Sequence, residues 1–217
     1  MTDSFMRRGV SSWRRLSRWW LALALATMAS GVGATTLQSI QTSQTAEGLR
    51  LTATVQVVLN SQVQQALERG VPLYFVHQVQ VVQPRWWWRD QVVTNVTRRV
   101  RIARQALTRQ WRVAVLPDES SNGSAPQTGQ AMSMTVPSVE AALALVGKVG
   151  DWLVLPQAEW PDVGEPPQMV YRFYLDTSEL PGPFQIGQGS SAEWSVRLEA
   201  VRPLGLRAAP LSVEGAR

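Results

Sequence analysis

The sequence predicts a mainly β protein, an antiparallel β-sandwich of about seven strands with two short helices. Three observations carry that expectation. Apolar and polar residues alternate with a period of two in Leu49–Leu59, Met169–Leu175 and Trp194–Val201, the pattern of strands with one buried face. Turn-forming residues punctuate these runs at Glu47-Gly48, Pro84–Asp90 and Asp176–Pro183, as hairpins require. Neither a repeat nor a regular strand–helix–strand alternation is present, which argues against a doubly wound α/β fold.

Taken in order, residues 1–34 have the form of a signal peptide or an uncleaved signal anchor. Arg7, Arg8, Arg14, Arg15 and Arg18 make a basic start, Trp19–Ala29 is apolar, and Val32-Gly33-Ala34 offers a small-residue cleavage site before Thr35. The apolar run is shorter than the roughly twenty residues of a spanning helix, so cleavage after Ala34 is expected. Residues 35–206 then form a single β-rich domain, large enough to bury a core without disulfides.

Leu37–Thr45 is a first strand. In Leu49–Leu59 the residues Leu49, Leu51, Ala53, Val55, Val57 and Leu59 share one face. Asn60 can cap a helix over Ser61–Arg69, with Gly70 at its stop. Val71–Val82 is a β-branched and aromatic strand. The turn Pro84–Asp90 leads into strands at Gln91–Ala106 and Trp111–Leu116. Pro117–Ser133, rich in Ser, Gly and Gln, is a flexible loop. Ser138 caps a second helix over Val139–Val149, which Gly150 ends. Trp152–Leu155 is a short apolar run, and Pro156–Pro167 an irregular linker. Met169–Leu175 and Trp194–Val201 are the last strands, and 207–217 is a disordered tail.

The whole-chain charge of +5 comes largely from the leader, whose five arginines face one acid, Asp3. The exported part is close to neutral, so nucleic acid is not an expected partner. Charge is nevertheless uneven. Between Arg85 and Arg112 eight arginines accompany a single acid, Asp90. There is no Cys, which removes thiol catalysis, cysteine-bound zinc and a lipidated N-terminal Cys.

Catalytic equipment is sparse. His77 is the single His, on the apolar face it shares with Leu73, Phe75, Val79 and Val81. That position suits a hydrogen-bonded core residue more than a base. Glu159, Asp162 and Glu165 could divide acid and base roles, yet they lie in a Pro-rich linker and read as solvated charge. No nucleophile elbow and no phosphate-binding loop occurs. No catalytic residue, metal ligand or cofactor is therefore expected.

Four stretches resemble a bacterial family known as domain of unknown function 4390: Ala66–Val76 (ALERGVPLYFV), Pro84–Asp90 (PRWWWRD), Ala106–Val113 (ALTRQWRV) and Leu175–Ile186 (LDTSELPGPFQI). With their spacing they cover most of the region from about Leu37 to Pro203. The resemblance implies a small exported or membrane-anchored protein without an assigned activity. It also implies a genomic neighbourhood that often includes a membrane sensor kinase of the nitrogen-regulation type. The Pro117–Ser133 loop is longer than the family pattern requires.

The candidate binding surface is Arg85, Trp86, Trp87, Trp88, Arg89, Arg99, Arg101 and Trp111. Three adjacent Trp in a tight turn cannot all enter one core, and indole suits both protein interfaces and lipid headgroups. Arginine can stack on indole or pair with anionic groups. On the next strand Val96, Val100 and Ile102 face one way, and Arg99 and Arg101 the other, with Thr97 and Ala103. The sequence thus predicts a non-enzymatic interaction module in the periplasm or on the periplasmic face of the inner membrane. Its expected partner is an envelope protein, a sensor kinase's external region among the candidates. The alternatives are a binder of anionic lipid or membrane surface, and a hydrolase of unknown type.

Overall fold

The computed structural model describes residues 34–85, 89–120, 132–161, 165–178 and 196–204. The leader, Trp86–Trp88, most of the 117–133 loop, most of the Asp176–Pro183 turn, Trp194 and the 207–217 tail lie outside the described residues. Among those described, ten strands form two antiparallel sheets. The smaller contains β1 (Thr36–Thr45), β2 (Gly48–Gln56) and β8 (Lys148–Pro156) in the order β1-β2-β8. The larger has the order β10 (Arg197–Pro203), β9 (Gln168–Asp176), β3 (Leu73–Gln83), β4 (Gln91–Arg104), β5 (Trp111–Val115) and β7 (Met132–Val136). The two-residue strand β6 (Glu119–Ser120) pairs with β4 beside this path.

The expected sandwich is the observed one. One hydrophobic core joins both sheets: Leu49, Leu51, Ala53 and Val55 of β2 and Trp152 and Val154 of β8 meet Phe75, Val79, Val100, Ile102, Tyr171 and Phe173 of the larger sheet. Each fully buried aliphatic or aromatic side chain contributes about 1.5–3 kcal/mol. Phe75 and Phe173 stack with ring centres 5.7 Å apart.

The chain changes sheets at its helices. Helix α1 (Ser61–Glu68) carries it from β2 to β3, and α2 (Val139–Val146) from β7 back to β8. Both begin where the sequence places a cap. The Asn60 side chain accepts from the Val63 N–H at 2.9 Å. The Ser138 hydroxyl accepts from the Ala141 N–H at 3.1 Å. Helix α1 stops before Gly70, whose φ is 91°.

Helix α2 ends earlier than the sequence suggests. Its C-cap is Gly147, not Gly150. The Gly147 carbonyl accepts from the Val55 N–H at 2.8 Å. A Cβ at Gly147 would lie 2.1 Å from the Val55 oxygen. A close approach to β2 therefore fixes the stop, and Lys148–Gly150 joins β8 instead. The Pro117–Ser133 segment also differs from a plain loop, because it contributes β6 and the first residues of β7. Their ladders come from β4 and β5, which local composition cannot announce.

Candidate functional site

The predicted surface falls into separate parts. Arg85 and Arg89 are exposed on either side of the β3–β4 turn. Arg85 bonds to Gln91 across the turn. Among the described residues neither arginine has an acidic partner at ion-pair distance. Trp86, Trp87 and Trp88 lie between them, outside the described residues. Arg99 and Arg101 sit on the same strand as Gln91, opposite Val76 and Tyr74 of β3. At about 3.3 Å per residue, Arg101 stands roughly 30 Å along β4 from the turn. Its guanidinium lies 6.0 Å from the Tyr74 ring centre. Arg99 reaches Glu119 at 3.7 Å. The arginines of the outer face are thus a second patch, and do not extend the turn.

Trp111 belongs to neither patch. It opens β5 with 7% of its surface exposed, inside the core. Arg104 lies 5.9 Å from its ring centre and donates to the Glu68 carbonyl at 2.8 Å. Register explains the correction. Trp111 and Val113 alternate inward along β5, and Arg112 points outward to Ser133 at 3.1 Å. A tryptophan on that face seals the sandwich and is not available for docking.

Sequence reasoning missed Arg98. The period of two places it on the inner face of β4, between Val96 and Val100. There its Nε and Nη2 donate side by side to the two carboxylate oxygens of Asp118, at 2.7 Å each. The Trp152 indole N–H donates to Asp118 Oδ2 at 3.0 Å. The guanidinium also lies 4.8 Å over the Trp152 ring. This unit links β4, the segment before β6, and β8, and so ties the two sheets together. It lines a cleft of about 430 Å³ together with Glu47, Arg50, Asp151 and Leu153. Arg50 pairs there with Glu47 and with Asp151, the latter at 2.9 Å. Every charged side chain lining the cleft has an opposite partner. The signal for Arg98 was its inward parity. Its partner Asp118, in a loop-like segment, had no sequence signal.

His77 lies opposite Arg98 on β3, with no exposed surface. Its Nε2 is 2.8 Å from the Val146 carbonyl, and its Nδ1 2.7 Å from the Tyr171 hydroxyl. A carbonyl can only accept, so Nε2 carries the proton and Tyr171 donates to Nδ1. Burial pushes the imidazole pKa down to about 4 despite the Val146 bond, and the Arg98 charge adds to that depression. Burial likewise pushes the Tyr171 hydroxyl up. The ring is neutral and engaged on both sides, a strut between β3, β9 and the end of α2. Of the linker carboxylates, Glu159 lies in a short 3-10 turn and Glu165 is exposed. Asp162 is outside the described residues. Among the described residues no group of three or more metal-ligating side chains gathers, and no helix is long and apolar enough to cross a membrane.

Residues 33–202 match the family model described as domain of unknown function (DUF4390). The chain belongs to this family. The match spans every strand except the last residue of β10, so the DUF4390 unit is the sandwich itself. No curated protein and no solved structure matches the chain.

Proposed function

We propose that this DUF4390 protein is a non-enzymatic interaction module of the cell envelope, acting in the periplasm or on the periplasmic face of the inner membrane. It docks on an envelope protein through the turn between β3 and β4, and the external region of a membrane sensor kinase is the first candidate partner. The observation that carries this reading is the exposed pair Arg85 and Arg89, without acidic partners among the described residues, around three consecutive tryptophans. Tryptophan and arginine dominate the energetics of protein interfaces. The arginines elsewhere on β4 have intramolecular engagements: Arg98 with Asp118, Arg99 with Glu119, Arg101 with Tyr74, and Arg104 with Glu68 and Trp111. The occupied cleft charges and the enclosed His77 support a role without catalysis.

A second reading, docking on an anionic membrane surface, draws on the same two exposed arginines. In-cell photo-crosslinking from a reactive amino acid at Trp87 separates the two. A single protein adduct, absent when the reactive group stands at Arg101, is the expected result. Lipid adducts alone, with vesicle binding that falls steeply with salt, would replace the first reading with the second. No adduct of either kind would remove the turn as a docking site.

A further inference from the structure

Strands at the rim of a sheet expose unpaired backbone groups. Folded proteins guard them with charge, proline, bulges or short length. Among the described residues the strands at the two ends of each sheet order are β1, β8, β7 and β10. Three are guarded. β10 carries Arg197, Glu199, Arg202 and Pro203. β8 carries Lys148, Asp151 and Pro156, with two shifts of register against β2. β7 has no charge or proline and exposes Met132 and Met134, but has only five residues. β1 differs from them all. It has ten residues, TLQSIQTSQT, with no charge and no proline, and a single shift of register. Every residue from Gln41 to Thr45 is exposed, and Leu37 and Ile40 pack against the core while staying only half-buried.

We propose that the free edge of β1 receives β1 of a second copy of this chain. The two three-stranded sheets then become one six-stranded sheet across a two-fold axis. Neutrality favours self-pairing, because no register can set like charges opposite one another. Thr, Ser and Gln side chains supply cross-strand hydrogen bonds, as Gln38 and Gln56 already do at 3.3 Å between β1 and β2. The partner strand covers the open flank of Leu37 and Ile40 in each copy. A foreign peptide would need pockets for alternate side chains to be held specifically, and the exposed polar residues of β1 offer none. The two-fold contact uses the same edge on both copies and closes at two, so a long unguarded strand gives a dimer and no fibre.

The test exploits the absence of native Cys. In the full chain, Gln41→Cys or Ser43→Cys is expected to give a reducible dimer on mild oxidation. Glu199→Cys, on the β10 edge, is expected to give none. Light scattering is expected to find twice the chain mass for the native protein. The double variant Gln41→Lys, Ser43→Lys is expected to run as a monomer with an unchanged circular dichroism spectrum. A monomeric native protein, equal cross-linking from Glu199→Cys, or a cross-link to a chain of another mass would overturn the proposal. If the lysine variant fails to fold, the cysteine pattern still decides.

Discussion

Arg98 and Arg99 are neighbours on one strand and behave as different residues. Arg98 points inward, where its charge meets Asp118 and its flat face lies over Trp152. Arg99 points outward, with its nearest acid, Glu119, at 3.7 Å. The Asp118 side chain is 8% exposed, that of Glu119 62%. Solvent weakens the outer pair, while the inner pair acts where water is scarce. The difference teaches that strand parity, and not residue type, decides whether an arginine of this strand ties the two sheets together or pairs on the outer face.

Removing the inner acid should break the comparison most strongly. Asp118→Ala leaves a mostly buried guanidinium unpaired and the Trp152 indole without its acceptor. A loss of about 3–4 kcal/mol is expected in denaturant unfolding. The pH dependence comes next. The folded-state pKa of His77 lies near 4, below the ordinary 6.5. Its contribution is therefore complete above about pH 6.5 and is lost as pH falls toward 4, because the unfolded chain takes up the proton first. The loss over that window is about 3 kcal/mol. Subtracting the stability profile of His77→Gln from that of the native protein isolates it, since the carboxylates titrate in both. A flat difference would show that the ring is not held neutral.

A smaller effect sharpens the role of the guanidinium. Arg98→Lys keeps the charge but cannot form both bonds to Asp118 or cover the Trp152 ring, and should cost about 1–2 kcal/mol by the same unfolding measurement. The outer face sets the lower bound. Arg99→Ala and Arg101→Ala should each change stability by less than about 0.5 kcal/mol. A larger loss from Arg99→Ala than from Arg98→Lys would reverse the assignment of the two faces.

Local chemistry made much of the fold legible. Alternation located β2 and β9, β-branched and aromatic composition located β3, and the caps at Asn60 and Ser138 located both helices. The readings that failed depended on distant contacts. The residues of β7 show no buried alternation to detect, and that strand exists because β5 supplies its ladder. Helix α2 stops at Gly147 because β2 passes close by. Arg85, Arg89, Arg99 and Arg101 were placed on outward positions, but the length of β4 separates them. Trp111 was misassigned because an aromatic residue looks the same in sequence whether it docks or fills a core.

The pairing order also dictates when the molecule can become itself. Arg50 meets Asp151 across 101 positions, and His77 meets Tyr171 across 94. The hairpins β1–β2 and β3–β4 can close early, but β8 completes the smaller sheet, and β9 and β10 the larger, only late in the chain. Such distant partnerships place folding in the slow range, about milliseconds to seconds. Until Asp176 is available, the apolar faces of β2 and β3 stay open to other chains. A fragment ending near residue 150 holds β1 to β7 without β9, β10 and most of β8, and would aggregate before it could act.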